Sequence, residues 1–454
     1  MVRQAASTES VTLIRGATVW SHGAWLPDHD IQLENGRVVA VTPTGSRPVA
    51  AVSPASSRID ARGAFVIPGL VNTHTHLHQA VMRGIAEGEP LIRWLRHIAE
   101  GTVRLTPDQA YAAALAASVE ALRSGTTTLV EHMWPHPDCE VHDAVFQALD
   151  DAGIRAVVCR GVADRPDETR RWGFEPRLME PLPRVLEHVD ALAKRAGGLG
   201  ADRIAVGIAV PNVRSLTPDG LRTVRAFADD RAMPVSIHLL ETETDEEMCR
   251  AHAGVGAVEY LERAGFLWDR LLAVHCVRLD AAGQRALARN GVAVSYNPLS
   301  NMRLGSGIAP VPEMLAAGLR VGLGVDGAAS NDTQDMLETL RIGAYVQRAA
   351  TRRADLLAFP EMLALAANGA NRALGLEERP HGVAPGMQAD LAVIRFERDL
   401  GCLPVTDPGA MLLTTGSGRV VDTVLVAGEP VIADGRSTRI DEQALTERLR
   451  GITI

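Results

Sequence analysis

Residues 64–76, AFVIPGLVNTHTH, are the most informative stretch of the chain for its fold. The stretch begins as a run of apolar, β-forming residues and ends with two histidines, His74 and His76, two positions apart. Because side chains along a strand repeat every two residues, both imidazoles are predicted to point to the same side. The stretch therefore predicts a buried strand that carries a pair of metal-binding side chains at its carboxyl end.

Similar short runs recur along the chain and are separated by amphipathic helical stretches such as PDQAYAAALAASVEALRSG. The further runs are TTTLVEH (126–132), RAVVCRG (155–161), RIAVGIAV (203–210), PVSIHLL (234–240), LLAVHCV (271–277), VAVSYN (292–297) and RVGLGVDG (320–327). Alternating strands and helices are typical of a parallel sheet built from βα units. Eight such units over about 320 residues predict an α/β fold of the (β/α)8 TIM-barrel type, with a doubly wound open sheet as the alternative.

The two ends of the chain share a different pattern, in which short β-rich runs are joined by turns. The first sixty residues contain VTLIRGATVW and DIQLENGRVVAVTP, with Asn35-Gly36 as a hairpin signal. The end repeats this style in ADLAVIRF and VVDTVLVAGEPVIADG. We therefore expect the two termini to complete each other in one small sheet.

Composition narrows the class of protein. The chain of 454 residues is 46% hydrophobic and 22% charged, which is typical of a globular protein with a sizeable core. Its net charge of −9, with no block of like charges, argues against a nucleic-acid or anionic-membrane partner and favours a small molecule. We also expect a homo-oligomer, either a dimer or a tetramer.

The cysteines and the start of the chain indicate the compartment. The five cysteines have no paired spacing and are expected to be reduced thiols: Cys139, Cys159, Cys249, Cys276 and Cys402. The opening residues MVRQAASTES lack the apolar segment of a signal peptide, and no run of about 18 apolar residues occurs. These features predict a cytoplasmic protein.

Several predicted strands end in metal-binding side chains. His74 and His76 end the first strand, His238 the fifth, His275 the sixth and Asp326 the eighth. Barrel enzymes place their reactive residues at the carboxyl ends of the strands, so these groups are expected to meet at one mouth. A single buried histidine is more often a hydrogen-bonded core residue, but this coincidence of positions favours a metal site. Imidazoles with a carboxylate suit Zn²⁺ or Fe²⁺.

Longer motifs carry a family resemblance. They are PGLVNTHTHLH, Met82-Arg83-Gly84, Pro90-Leu91, Trp94-Leu95, SGTTT (124–128), HCV (275–277), NPLSNMRLGSGIAPVPEML (297–315), GVDGAASNDTQDMLETLR (324–341) and GMQADLAVI (386–394). Together they resemble the amidohydrolase superfamily over nearly the whole chain. Within it, the chain is most similar to the branch of triazine hydrolases, including atrazine hydrolases, and of methylthioadenosine/S-adenosylhomocysteine, guanine and 8-oxoguanine deaminases. This resemblance implies a β-sandwich domain of residues 1–66 and 385–454 beside a barrel domain of residues 67–384.

The resemblance also implies roles for the residues at the strand ends. It makes His74, His76 and His238 metal ligands and Asp326 both a ligand and a base. His275 would polarise the reaction centre beside the metal.

A further acid is implied by the motif HLLE (238–241). Its last residue, Glu241, would shuttle a proton. Glu241 opens the acidic run ETETDEE, in which Glu243 and Asp245 are expected only to solvate a loop. The fixed offset from His238 favours Glu241 as the proton carrier.

Other positions bear on the metal count and the substrate. Binuclear relatives bridge two metals with a carboxylated lysine at the end of the fourth strand, whereas this chain has AVPN there and its one lysine, Lys194, in the preceding helix. We therefore expect one divalent metal ion per chain. Zn²⁺ is the preferred ion and Fe²⁺ is the alternative. Trp94, Arg160 and Asn212 are the candidate substrate-binding residues, and a rim salt bridge is the alternative for Arg160.

Two departures weaken a ribose-binding role. Nucleoside deaminases of this branch carry a glutamate where this chain has Val103, and a histidine in the segment where it has Asn212. The prediction is therefore a mononuclear metal-dependent hydrolase, which activates water to attack a substituted carbon of a nitrogen heteroaromatic ring. We expect a deaminase that cleaves the C–N bond of a cyclic amidine. A triazine hydrolase expelling chloride or an alkylamine is one alternative, and a catalytically silent scaffold of the same fold is another.

Overall fold

The structure, a computed structural model, describes residues 11–47, 56–199, 203–378 and 382–453. The opening residues MVRQAASTES, from which the absence of a signal peptide was predicted, lie outside these ranges. In the described part of the chain, no helix is long and apolar enough to cross a bilayer.

Five strands precede the barrel and begin a mixed sheet. They are β1 (Val11–Ser21), β2 (Ala24–Glu34), β3 (Arg37–Pro43), β4 (Ser57–Asp60) and β5 (Phe65–Pro68). β1 pairs antiparallel with β2 and parallel with β5, and β2 pairs antiparallel with β3. The predicted turn at Asn35-Gly36 joins β2 to β3, and both residues have the positive φ that a tight hairpin requires.

Eight parallel strands form the second sheet, in chain order. They are β6 (Leu70–Thr75), β7 (Thr126–His132), β8 (Arg155–Gly161), β9 (Ile204–Val210), β10 (Val235–Leu239), β11 (Leu271–His275), β12 (Ala293–Tyr296) and β13 (Arg320–Leu323). The last strand lies against the first, and the Asp326 backbone N–H donates to the His74 carbonyl at 2.9 Å. The predicted barrel is confirmed, and the open doubly wound sheet is not formed.

Helices lie around this barrel, on its outside and at its mouth. They are α1 (Leu91–Val103), α2 (Pro107–Arg123), α3 (Cys139–Ala152), α4 (Leu182–Gly197), α5 (Pro218–Asp230), α6 (Glu243–Ala253), α7 (Ala257–Arg263), α8 (Ala281–Arg289), α9 (Pro298–Arg303), α10 (Val311–Ala316), α11 (Met336–Thr351) and α12 (Phe359–Asn368). Along β8, Val157 and Cys159 belong to a core inside the barrel, whereas Ala156 and Val158 pack in the layer beneath the helices. Because both faces are covered, β8 is apolar between its two ion-paired arginines, Arg155 and Arg160, as expected for a buried parallel strand.

The chain then returns to the first sheet. Its closing elements are β14 (Leu391–Ile394), α13 (Pro408–Thr414), β15 (Val421–Val426), β16 (Glu429–Ala433), β17 (Arg436–Ser437) and α14 (Glu442–Arg450). β14 pairs antiparallel with β5, so this sheet is built from both ends of the chain, as predicted. The division into domains at residues 66/67 and 384/385 stays a prediction. β5, a strand of the first sheet, ends at Pro68, two residues beyond the first of these boundaries.

The stretch 64–76 differs from its prediction as a single strand. It is divided at Gly69 into β5, which belongs to the first sheet, and β6, which belongs to the barrel. A Cβ at Gly69 would lie 2.1 Å from the Thr127 hydroxyl oxygen, so only glycine allows β7 to approach this point. The Gly69 N–H donates to the Asp390 carbonyl at 2.8 Å, which fixes the crossing between the two sheets.

Candidate metal centre

Four side chains converge at the carboxyl ends of the barrel strands. His74 comes from β6, His76 and Asp326 follow β6 and β13, and His238 comes from β10; their ligand atoms all lie within 4.8 Å of one another. The Nε2 atoms of His74 and His76 are 3.2 and 3.3 Å from Asp326 Oδ1. Both ring nitrogens of His74, and Nδ1 of His238, are buried without a hydrogen-bond partner in the described residues. Unpartnered buried nitrogens around one carboxylate are what a metal site requires.

The protonation states of this cluster also suit a metal ion. Burial lowers the pKa of His74 below its usual value, and burial together with neighbouring imidazoles lowers the pKa of His76 and His238 further. Burial raises the pKa of Asp326, but the adjacent imidazole of His74 and the other surrounding imidazoles outweigh this and hold the pKa well below the usual value. Neutral imidazoles and an ionised carboxylate are the forms that bind metals. The cluster therefore has the donor atoms and the protonation states that a divalent metal requires.

Neighbouring groups orient these side chains. His76 Nδ1 lies 2.5 Å from the His132 carbonyl, the usual second contact of a metal-binding imidazole. Ser300 and Ser330 donate their hydroxyl groups to Asp326 Oδ2 at 2.6 and 3.1 Å. These contacts leave Asp326 Oδ1 directed toward the two histidines of the β6 end.

Glu241 and His275 lie beside the cluster. His275 Nε2 is 3.5 Å from Glu241 Oε2 and 3.8 Å from Asp326 Oδ2, and His275 Nδ1 is 2.9 Å from Asn301 Oδ1. Burial raises the pKa of Glu241 to about 7, with His275 opposing and Asp326 adding to this effect. A carboxyl group that titrates near neutral pH can both give and take a proton at that pH.

The backbone at these positions is strained. His275 and Asp326 have φ values of +72° and +68°, in the left-handed region that non-glycine residues rarely adopt. Such strain is concentrated where the surrounding structure must aim a side chain for function. The positive φ values of His275 and Asp326 set the direction of both side chains at the barrel mouth, where the strands end.

The acidic run after β10 differs from the predicted solvated loop. Glu243 is exposed and pairs with Arg278, but Asp245 is buried. Asp245 Oδ1 accepts from Arg214 Nε at 3.0 Å, and its Oδ2 accepts from the Leu240 N–H at 3.0 Å. The prediction was wrong for Asp245 because the run begins helix α6, which turns this carboxylate inward.

A cleft at the mouth of the barrel adjoins the cluster. Apolar and aromatic side chains form much of its wall: Leu91, Leu95, Trp134, Phe174 and Leu304. Trp94 and Asn212 also line it. The Trp94 indole donates to the Ala329 carbonyl at 3.1 Å, and Asn212 Oδ1 accepts from the Arg214 N–H at 2.9 Å. Their role in binding substrate stays a prediction.

Arg160 does not line this cleft. Its guanidinium is buried beside α4, where it pairs with Glu180 and donates to the Gly161 carbonyl at 2.6 Å and to His188 Nδ1 at 3.5 Å. Arg160 follows Cys159, which faces the barrel interior, so strand alternation directs Arg160 to the outer face. The structure thus places it in the salt bridge rather than at the substrate.

Three residues at the site were not singled out from the sequence. Gln79 lines the cleft fully buried, and neither side-chain polar atom has a partner in the described residues. His132 ends β7 with its ring centroid 4.4 Å from that of His238, so the strand-end rule could have found it. Arg170 belongs to the loop after β8, for which no periodic signal exists.

Comparisons with known proteins agree with this geometry. Residues 65–431 match the model of the amidohydrolase family. The chain is 36% identical to a 5-methylthioadenosine/S-adenosylhomocysteine deaminase of Desulforudis audaxviator and 33% identical to an 8-oxoguanine deaminase of Pseudomonas aeruginosa, in each case over 92% of both chains. Atrazine chlorohydrolase TrzN from Arthrobacter aurescens TC1, solved in complex with zinc, is 26% identical with a TM-score of 0.87 over 97% of this chain and 99% of that chain. The barrel, the metal site and these matches together establish that the chain belongs to the amidohydrolase family.

Proposed function

We propose that the protein is a zinc-dependent aminohydrolase that removes an amino group from a nitrogen heteroaromatic ring and releases ammonia. The observation that carries this proposal is the buried carboxyl group of Glu241, with a pKa of about 7, beside His275 and the metal-binding cluster. The names of the two curated relatives, both deaminases, support it.

The chemistry divides among the side chains at the barrel mouth. A divalent metal held by His74, His76, His238 and Asp326 would lower the pKa of water from 15.7 toward about 7. Asp326 is positioned to accept the proton of the attacking water. Protonated Glu241 donates to a ring nitrogen, which makes the attacked ring carbon more electrophilic.

His275 completes this arrangement. Its Nε2 atom lies between the carboxylates of Glu241 and Asp326, where it can stabilise the negative charge that develops on the oxygen added to the ring. The proton that leaves the water can then return to the amino group, because ammonia departs readily only when its nitrogen is protonated. Asp326, which accepted that proton, is the group placed to return it, and Glu241, ionised once it has protonated the ring nitrogen, is suited to take up the second proton of the water as the carbon–oxygen double bond forms and ammonia leaves.

The metal content proposed is one Zn²⁺ per chain, with Fe²⁺ as the alternative. The only lysine, Lys194, is exposed on α4, and β9 ends at Val210 followed by Pro211 and Asn212. No carboxylated lysine is therefore available to bridge a second ion. Metal analysis of the purified protein should give about one equivalent, and two tightly held ions that are both needed for activity would contradict this.

The substrate is proposed to be a free heteroaromatic base rather than a nucleoside. Val103 stands where a ribose-binding glutamate is expected, and it packs in an apolar cluster with Trp94. Asn212 replaces a histidine of the same group. The relative named as an 8-oxoguanine deaminase is consistent with a base as the substrate.

Two other functions have some support. The likeness to an atrazine chlorohydrolase favours, as second candidate, a triazine hydrolase that expels chloride or an alkylamine. A silent scaffold is disfavoured, because all four metal-binding side chains are present, buried or half-buried, with ligand atoms within 4.8 Å of one another. The homo-oligomeric state, the cytoplasmic location and the lack of a nucleic-acid or membrane partner stay predictions.

A substrate screen tests the proposal. The zinc-loaded protein is assayed with amino-purines, amino-pyrimidines and s-triazines for release of ammonia and of chloride. Ammonia from at least one amino-substituted ring is the expected result. Release of chloride alone would favour the triazine hydrolase, and release of neither would overturn the assignment. The double variant His74→Ala/His76→Ala should lose both metal and turnover while the barrel stays folded.

A further inference from the structure

A second group of metal-binding side chains lies outside the barrel, between helices α3 and α4. Cys139 and Asp143 stand four positions apart on α3, and His188 lies on α4. The Cys139 sulfur, an Asp143 carboxylate oxygen and a His188 ring nitrogen all lie within 4.8 Å of one another. Residues four positions apart share one face of a helix, so α3 presents its thiol and its carboxylate together. The two helices thus bring three different ligand types to one point of the surface.

The spacing of these ligand atoms suits a tetrahedral metal ion. His188 Nε2 is 3.6 Å from Asp143 Oδ1. Zinc bonds of about 2.0–2.3 Å hold neighbouring ligand atoms roughly 3.5 Å apart in a tetrahedral site. Cys139 is exposed, so its side chain can rotate to complete the set. The three side chains can therefore surround one ion with little movement and leave its fourth position to solvent.

His188 can take the form that binds a metal. Burial and the nearby guanidinium of Arg160 lower the pKa of His188, so its ring is neutral at neutral pH. Its Nε2 atom is buried and faces Asp143 Oδ1 from beyond the length of a hydrogen bond. Its Nδ1 atom is 3.5 Å from Arg160 Nε, whereas Arg160 donates to the Gly161 carbonyl at 2.6 Å. Giving up this long contact costs little, so the ring proton can move to Nδ1 and leave the Nε2 lone pair for an ion.

We propose that Cys139, Asp143 and His188 bind a second, exchangeable divalent metal ion of the zinc type. A thiolate beside an imidazole selects Zn²⁺ or Co²⁺ over Mg²⁺ and Ca²⁺, which take oxygen ligands. The thiol loses its proton to solvent as the metal–sulfur bond forms, so the affinity rises with pH. None of the three residues lines the cleft. The ion therefore joins α3 to α4 and takes no part in the reaction proposed for the cleft.

The surroundings limit how firmly this site holds its ion. It offers three ligands that are exposed or half-buried, whereas the cluster at the barrel mouth offers four that are buried or half-buried. Arg195 Nη1 also lies 3.6 Å from Asp143 Oδ1 and competes with an ion for that carboxylate. We therefore expect the second ion to be lost on dialysis, which leaves the metal content of the purified protein at the value proposed above.

Titration of the zinc-loaded full chain with Co²⁺ under reducing conditions tests the proposal. A Co²⁺–thiolate bond produces an intense charge-transfer absorption in the near ultraviolet, which a site of histidines and an aspartate does not produce. The other four cysteines are buried, so this band reports on Cys139. The wild type should develop the band and reach saturation at about one thiolate-bound ion per chain.

Variants of the three ligands separate a built site from a reactive thiol. Cys139→Ser should lose the band, whereas Cys402→Ser should keep it. Asp143→Asn and His188→Gln should each weaken Co²⁺ binding by at least about 10-fold. Glu140→Gln is the matched control for Asp143→Asn, because it removes the same charge from an exposed position beside Cys139. It should keep the wild-type affinity, and all variants should keep the zinc of the barrel mouth and their unfolding temperature.

Three results would overturn the inference. The first is the absence of the band in the wild type. The second is an unchanged affinity in Asp143→Asn or in His188→Gln, which would remove that residue from the ligand set. The third is an equal loss in Glu140→Gln, which would mean that negative charge in general attracts the ion. The proposed function fails separately, through the absence of ammonia release in the substrate screen.

Discussion

Glu241 and Glu243 stand two positions apart and occupy opposite environments. Glu241 is buried and faces His275, whereas the side chain of Glu243 is 64% exposed and pairs with Arg278. Burial raises the pKa of Glu241, and no comparable environment surrounds Glu243. The two residues therefore offer a matched test of which carboxyl group carries the proton.

We predict that Glu241→Gln lowers turnover of an amino-substituted substrate by about 10²–10⁴, because glutamine keeps the shape of the side chain but has no transferable proton. Glu243→Gln should stay within a few-fold of wild type. Steady-state kinetics on any amino substrate found in the screen provides the measurement. Equal losses in the two variants would remove Glu241 from the mechanism, and metal analysis should show unchanged zinc in both.

The pH dependence follows from the same carboxyl group. Glu241 can protonate a ring nitrogen only in its acid form, which is lost as the pH rises through about 7. The turnover of an amino substrate should therefore decline above about pH 7. The residual rate of Glu241→Gln should lack this decline, and an identical alkaline limb in wild type and variant would contradict the assignment. A chloro-substituted ring should depend less on Glu241, since chloride leaves without being protonated.

At the scale of elements, the crossing from β5 to β6 depends on Gly69. A side chain there would meet Thr127 of β7, whose whole side chain is buried. We predict that Gly69→Ala lowers the free energy of unfolding by about 1–3 kcal/mol, the usual cost of overpacking. Chemical denaturation measures this.

Gly197, the last residue of α4, provides the control for Gly69. A Cβ there meets nothing within 4 Å. Gly197→Ala should leave the stability unchanged or raise it by up to about 1 kcal/mol. A loss of the same size in both variants would show that the contact with Thr127 is not the cause.

The strands and their ligands could be predicted from sequence because both depend on local pattern. Each barrel strand is a short apolar run, and His74, His238 and Asp326 stand where such runs end. The division at Gly69 could not be predicted, since it depends on contact with Asp390 at the other end of the chain. Arg170 could not be recognised from the sequence as a residue of the cleft, because the irregular loop that carries it has no periodic pattern.

The errors at Arg160 and in the acidic run after β10 could have been avoided, because local sequence patterns predict the observed structure at both places. Strand alternation after Cys159 would have directed Arg160 outward. Thr242 accepts from the Thr244 N–H as the cap of α6, so the acidic run forms the first turn of a helix rather than a loop. Acidic residues are favourable there because they face the positive end of the helix dipole.

At the scale of the whole molecule, a buried ion pair joins the barrel to the first sheet. Arg155 Nε, at the start of β8, donates to Asp390 Oδ2 at 2.9 Å, and the two side chains are 4% and 0% exposed. Asp390 also accepts from the Ala427 N–H at 2.8 Å, which ties the turn after β15 to the same carboxylate. One carboxylate thus holds three segments together.

We predict that Arg155→Met lowers the free energy of unfolding by about 3–5 kcal/mol, because it removes the positive charge that faces the buried carboxylate of Asp390. Arg263→Met breaks an exposed pair with Glu259 on α7 and should cost no more than about 1 kcal/mol. Denaturant titration of both variants measures the contrast. A small effect of Arg155→Met would show that the sheet and the barrel do not depend on this pair.

The pairing of β5 with β14 has a consequence for synthesis of the chain. β14 begins at Leu391, so β5 emerges from the ribosome long before its partner exists. At roughly 5–20 residues per second, the roughly 320 residues between the two strands take on the order of 15–60 s to translate. During that interval the apolar edge of β5 is unpaired, and such edges promote aggregation. The antiparallel meander of β1, β2 and β3 can form meanwhile, and the nascent chain must keep the β5 edge covered until its last sixty residues arrive.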